Sequence, residues 1–192
     1  MEKKFPIRLI SAIVIICIMG LITFLYFYNG FSVNYVKREK TTESLTKLNL
    51  TYHSVGYGSL CVNKDSLGNK LSLLSEGKEK EFDYGFFAHA YSVLVFDNLK
   101  DLKCSYFSTY MGINKSARGV AATSIEFYVY FDQELVYSSG KVDKSSEMLF
   151  FEKNIDNKVS RITLVIDDLG GNGSDHGVWA DPIITYMKEV EK

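Results

Sequence analysis

From Ser124 to Asp132, hydrophobic and polar side chains alternate without a break. Ile125, Phe127, Val129 and Phe131 fall on one face, and Glu126, Tyr128, Tyr130 and Asp132 on the other. The stretch 161–167 repeats the pattern, with Ile162, Leu164 and Ile166 set against Arg161, Thr163, Val165 and Asp167. A period of two is that of a strand with one buried face. "AYSVLVF" (90–96), "LKCSYFSTYM" (102–111), "LVYSSG" (135–140) and "MLFFEKN" (148–154) are further segments of strand length, separated by polar or glycine-containing breaks. No segment after residue 50 sustains a helical period over three turns. Short strands at this spacing, with no helices between them, predict an all-β antiparallel sandwich. The stretch 51–187 is long enough to bury its own core.

Ahead of that body the pattern changes. Residues 9–28, "LISAIVIICIMGLITFLYFY", carry no charge, and only Ser11 and Thr23 are polar. A helix of that length, rising ~1.5 Å per residue, reaches across the ~30 Å hydrocarbon core of a bilayer. A secretory signal would have an apolar core of ~7–15 residues and a small-residue cleavage site. Here the run is longer, the following "NGFSVNYV" offers no such site, and Cys17 follows two isoleucines rather than a small residue. The expectation is therefore a cytoplasmic tail (1–8), a transmembrane anchor (9–28), a tether (29–50), the β-sandwich (51–187) and a C-terminal tail (188–192). Lys3, Lys4, Arg8 and the free amine narrowly outweigh Lys37, Arg38 and Lys40 across the span. That balance places the N-terminus in the cytoplasm and the C-terminal domain outside the cell membrane.

Charge removes one class of partner. With 22 Lys and Arg against 23 Asp and Glu among 192 residues, there is no basic footprint for nucleic acid. Cys17 lies in the apolar run, while Cys61 and Cys104 sit in separate candidate strands, either paired or as buried thiols.

Candidate chemistry gathers late in the chain. "DHGVWADP" (175–182) places two acids, an imidazole and the only tryptophan within eight positions. No nucleotide loop, zinc pair or serine elbow accompanies it, and His53, His89 and His176 lack metal-ligand spacing. Asp167, Asp168, Asp175 and Asp181 would serve a glycosidase only as a pair ~5–9.5 Å apart across a cleft. As turn residues they satisfy backbone amides, and no catalytic residue is assigned. Trp179 has two readings: it stacks on a sugar ring, or it plugs one end of the sandwich. Asp175 and His176 beside it supply polar groups that a sugar pocket needs.

The ordered set "GYG" (56–58), "KD" (64–65), "GFFAHA" (85–90), "MGIN" (111–114), "FYVYFD" (127–132), "YSSG" (137–140), "LVIDD" (164–168) and "DHGVWADP" resembles the NPCBM family, family 51 of the carbohydrate-binding modules. The resemblance covers about 55–187. It implies a galactose-binding-like, discoidin-type β-sandwich that recognises glycans without cleaving them. The ligand it implies is of galactose or N-acetylgalactosamine type, and the sugar-binding residues are Tyr57, His89, Arg118, Asp175, His176 and Trp179. By analogy with discoidin-like domains it also implies a structural Ca²⁺. Asp65 in "KDSLG" (64–68) and Asp181 in "ADP" (180–182) would be its carboxylate ligands, joined by backbone carbonyls. The chain departs from the family at Tyr57 (usually tryptophan), Asn114 (usually aspartate), Val178 (often a second acid) and the turn "DQE" (132–134), which lacks glycine. The function implied is a membrane-anchored, extracytoplasmic glycan-binding domain. The alternative is an envelope scaffold or protein-interaction domain that kept the fold and lost the sugar site.

Overall fold

The computed structural model describes residues 18–20, 36–119, 123–171 and 173–190. Arg38–Val190 form one compact unit. The expected anchor over 9–28 lies outside the described residues except for 18–20, which are helical. Among the described residues no helix is long and apolar enough to cross a membrane.

The body is a β-sandwich. One sheet is built from β1 (Lys37–Ser44), β3 (Cys61–Val62), β6 (Gly85–His89), β8 (Tyr106–Ile113), β11 (Leu149–Asn154) and β13 (His176–Val190). Its order is β11-β8-β13-β6-β3, with β1 paired to β13 beside this path. The facing sheet runs β10 (Glu134–Asp143), β9 (Ser124–Phe131), β12 (Ile162–Asp167), β7 (Ser92–Phe96) and β2 (Tyr52–Val55). Between the sheets lie the apolar halves of the alternating segments: Ile125, Phe127 and Val129 from β9, Leu164 and Ile166 from β12, Leu94 from β7 and Met111 from β8, all fully buried. Each deep side chain of this kind contributes about 1.5–3 kcal/mol relative to exposure, which offsets the ordering of the strands.

A separate hairpin, β4 (Leu71–Ser75) and β5 (Lys78–Phe82), lies against the outer face of the six-stranded sheet. Leu71, Leu73 and Phe82 from it pack on Phe87, Val178 and Ala180 as a second, smaller core. This hairpin escapes an alternation-based reading because β5, "KEKEF", buries only Phe82.

Two expectations need correction. The tether assigned to 29–50 ends early, because Lys37–Ser44 is strand and pairs with β13; Arg38 reaches Glu189 there at 2.7 Å. The "DHGVWADP" segment, whose aspartates read as turn residues, is mostly strand. From His176 onward it is the first part of β13, flanked by β6 and β8. The glycine-free turn after β9 closes as a tight hairpin because Asp132 takes φ 54°, a left-handed conformation that aspartate tolerates.

Candidate functional site

Strand parity distributes the late motif over two faces. In β13, Gly177 and Trp179 point into the sandwich, whereas His176, Val178 and Ala180 point outward toward the hairpin. Trp179 is fully buried, with its ring 5.0 Å from Phe127 at 84°. It therefore presents no face to a sugar, and the core reading of Trp179 holds. Asp175 is equally hidden, at 1 % exposure. Its carboxylate accepts from the Ser124 amide and its backbone carbonyl from the Ala90 amide. Burial pushes its carboxyl above the ordinary range. The corner thus uses Asp175 internally, and a sugar-contacting role for it is corrected.

The outward residues do meet. His176 stands 5.3 Å from His89 and 5.1 Å from Phe87, both edge-on, and Tyr57 completes the row edge-on at 5.8 Å from His89. Tyr57 is 77 % exposed, at the tip of the "GYG" loop. That loop runs close to the β6 end, where a Cβ on Gly56 would lie 2.4 Å from the Ala90 carbonyl oxygen. Only glycine fits there, and its absent side chain lets Tyr57 stand beside His89.

The histidines are chemically distinct. His89 Nδ1 lies 2.7 Å from the Ala90 carbonyl, which can only accept, so Nδ1 carries the proton and Nε2 is the acceptor of the neutral ring. His176 Nδ1 lies 3.2 Å from Ser116 Oγ. Burial, and then the neighbouring His89, hold the His176 imidazole below its usual pKa, partly opposed by Asp65.

Behind His176 runs a continuous polar chain. Asn114 Nδ2 donates to Ser116 Oγ at 2.8 Å, and Asn114 Oδ1 accepts from the Ser72 amide at 3.1 Å. Ser72 Oγ bonds to Glu79, whose other oxygen is 3.5 Å from Arg118 Nη1. Arg118 itself folds back, giving Nε and Nη2 to the Ile113 carbonyl. Desolvation lowers its pKa. Arg118 is a support joined to His176 through this chain, not an exposed sugar fork. Sequence reasoning missed Ser116 and Ser72 entirely, because four distant segments supply the chain and none carries a motif alone. Asn114 was visible only as a departure from the family pattern. Ser116 also borders an open cavity of about 470 Å³ lined by Asp65, Asn69, Lys70, Ser72 and Lys115.

Asp65 and Asp181 do not come together. The Asp65 carboxylate accepts from the amides of Leu67 and Asn69 at 2.9 Å each, and from the Asn114 side chain at 3.4 Å. Asp181 sits five residues past His176 on β13, roughly 16 Å at a strand's rise. Its neighbours are Tyr84, Lys80 and Asp83. The Asp65 oxygens are already taken by N–H donors, and no group of three or more acidic, His or Cys side chains is placed to hold a metal among the described residues. The expected calcium pair does not fit these positions. Cys61 and Cys104 are both free thiols, and burial pushes the Cys104 thiol up to about 12.

Comparison with known proteins decides the family. The family model of the NPCBM/NEW2 domain matches residues 41–185. The chain belongs to that family. Its structure superposes on CBM51 from Clostridium perfringens GH95, solved in complex with methyl-galactose, with a TM-score of 0.70 and 29 % identity over 75 % of this chain and 99 % of that one. CBM51-2 with the INT domains of C. perfringens ZmpB, solved in complex with GlcNAc, gives 0.71 and 27 % over 77 % of this chain and 32 % of that one. The M60 catalytic domain of ZmpB with CBM51-1 and CBM51-2 gives the same score and identity, but there this chain spans only 15 % of the longer protein. A search of curated proteins finds no match. The NPCBM/NEW2 domain of this chain is thus an antiparallel sandwich of the CBM51 type, and its likeness is to carbohydrate-binding modules.

Proposed function

We propose that this NPCBM/NEW2 domain binds the terminal part of a galactose- or N-acetylhexosamine-type glycan at the pole formed by Tyr57, His89 and His176, without cleaving it. The observation that carries the reading is the exposed Tyr57 ring standing edge-on to His89, which stands edge-on to His176. Together they make an aromatic wall for the C–H face of a sugar. His89 Nε2 can accept from a hydroxyl, and Ser116 and the adjoining cavity add polar partners. Relatives of the same fold, solved with methyl-galactose and with GlcNAc, support the sugar class.

A wall this open buries little ligand surface, so a single sugar is expected to bind at roughly 10 µM to 1 mM, about −7 to −4 kcal/mol. Residues 9–28 supply the context in this proposal: a single-pass anchor that displays many copies on the outer face of the cell membrane. Multivalent glycans would then gain ~10²–10⁴ in avidity without any new contact. A glycan array probed with the protein tests the sugar reading. Binding confined to galactose- or N-acetylhexosamine-terminated structures supports it, and a folded protein that binds none favours the scaffold alternative. Protease treatment of intact, wall-stripped cells tests the topology, since an epitope at Lys192 should be lost before the membrane is breached.

A further inference from the structure

The outer face of the five-stranded sheet is unusual for a surface facing water. The residues of β9, β12, β7 and β2 that point away from the core line up in cross-strand rows. One row reads Tyr130, Thr163, Val95, Tyr52, and the next reads Tyr128, Val165, Val93, Ser54. Short side chains on β12 and β7 make a floor. Tyr128 and Tyr130, with ring centroids 6.4 Å apart, wall it on one side. Tyr52 and Tyr91, 57 % and 47 % exposed, stand on the other. A trough of about 340 Å³, open to solvent, lies between Tyr128 and Tyr130 on one side and Tyr91 on the other, and Tyr52 stands beyond it in the Val95 row. Solvent-facing sheet positions are ordinarily polar, so four tyrosines around an apolar floor mark a surface that receives something.

We propose that this trough binds an extended, uncharged glycan chain, as a second site distinct from the histidine pole and independent of it. Tyrosine offers a large amphipathic surface with only two rotatable angles to order. Its ring takes the C–H face of a pyranose while its hydroxyl bonds the ring substituents. From Tyr130 to Tyr52 is three strand spacings, about 14 Å, so a chain of sugars reaches walls that a single sugar cannot.

Charge restricts the ligand further. Asp132 and Asp167 line the trough, and no lysine or arginine is among its lining residues. Glu126 accepts from the Tyr128 hydroxyl, and that bond pushes the phenol up to about 12. Two bases come near the ends of the trough: Lys141, opposite Glu126 on β10, and Arg161, two residues before Thr163, whose guanidinium is ion-paired with Asp97 at 2.6 Å. Carboxylates here accept hydroxyl protons and repel anions, which excludes uronic-acid polymers and nucleic acid. A protein partner of ordinary affinity would cover ~800 Å² on each side, well beyond this trough.

The test is affinity electrophoresis of the full-length protein in a non-glycosidic detergent. The gels contain arabinoxylan, glucomannan or mixed-linkage β-glucan, with polygalacturonate as the anionic probe. At least one neutral polymer should retard the protein and polygalacturonate should not. Tyr130→Ala and Thr163→Arg, which alter side chains pointing away from the core, should each weaken retardation at least tenfold, with near-ultraviolet dichroism unchanged. Tyr57→Ala should leave it intact. No retardation by any neutral polymer overturns the proposal, as does equal binding of polygalacturonate. So does retardation that Tyr57→Ala abolishes while Tyr130→Ala does not. A dimer in sedimentation that Thr163→Arg dissociates would assign the face to a second copy of the chain, which also overturns it.

Discussion

Trp179 and Phe127 meet edge-on across the interior of the sandwich, ring centroids 5.0 Å apart at 84°, and neither is exposed to solvent. The tryptophan of the late motif therefore joins the two sheets instead of touching ligand. Trp179→Ala should cost about 3–5 kcal/mol in urea unfolding, as expected for removing a buried aromatic. Trp179→Phe should keep most of the stability and all of the glycan affinity of the folded protein. A Trp179→Phe variant that melts normally but no longer binds would place the indole at the ligand after all.

Gly177 makes a second claim on the same corner. A Cβ there would lie 2.6 Å from Ile166 Cδ1 and 3.0 Å from Ile125 Cδ1. Gly177→Ala should destabilise by about 1–3 kcal/mol through overpacking. Combining it with Ile166→Val should recover part of that loss in a double-mutant cycle. Strict additivity of the two changes would mean that they do not compete for the same space.

Much of the sandwich was legible because β9, β12 and β7 alternate cleanly and carry few breakers. The late motif was harder. Asp181 reads as a turn residue, yet it lies within the long strand β13, and only its flanking strands reveal which side chains face inward. Once parity is known, "DHGVW" separates into an inner Trp179 and an outer His176. Charged β1 and β5 escaped because edge and hairpin strands need little apolar surface. Tyr57 and His89 enter the expected sugar set only through family resemblance, while their edge-on contact and the Asn114–Ser116 chain are legible only in the fold. That polar chain forms where β8, β13 and the hairpin converge.

Acid should weaken the domain through His176. Burial and His89 lower its pKa in the fold, so the unfolded chain takes up the proton first as pH falls. The stability it contributes is present above the ordinary histidine pKa of about 6.5 and is lost as pH drops toward the lower folded value. Melting temperature should therefore fall between pH 7 and 5.5, and less steeply in His176→Gln. Asp175, with its pKa raised, acts in the opposite sense and gains stability on acidification. Asp175→Asn should accordingly make the acid-side loss steeper. Parallel melting profiles for wild type and His176→Gln would rule out His176 as the source.

Asp65 is expected to act as a loop staple rather than a metal ligand. Its Oδ1 accepts from the Leu67 and Asn69 amides, holding the turn that positions Asn114 and Ser116. Asp65→Ala should cost about 1–3 kcal/mol by removing two charge-assisted hydrogen bonds that hold the loop. That cost should be the same in calcium and in chelator. A cost that appears only with calcium present would restore Asp65 to a metal site.

Sugar binding at the pole depends most directly on Tyr57. Isothermal titration of the wild-type protein and of Tyr57→Ala, each against methyl-galactose and GlcNAc, isolates the exposed wall, because the 77 % exposed ring contributes little to the fold. The wild type should bind one of the two sugars at roughly 10 µM to 1 mM. Tyr57→Ala should lose at least tenfold in affinity while its melting temperature stays within a degree or two. Unchanged affinity in a Tyr57→Ala variant, with binding by the wild type verified, would contradict the placement of the sugar at the Tyr57–His89–His176 pole.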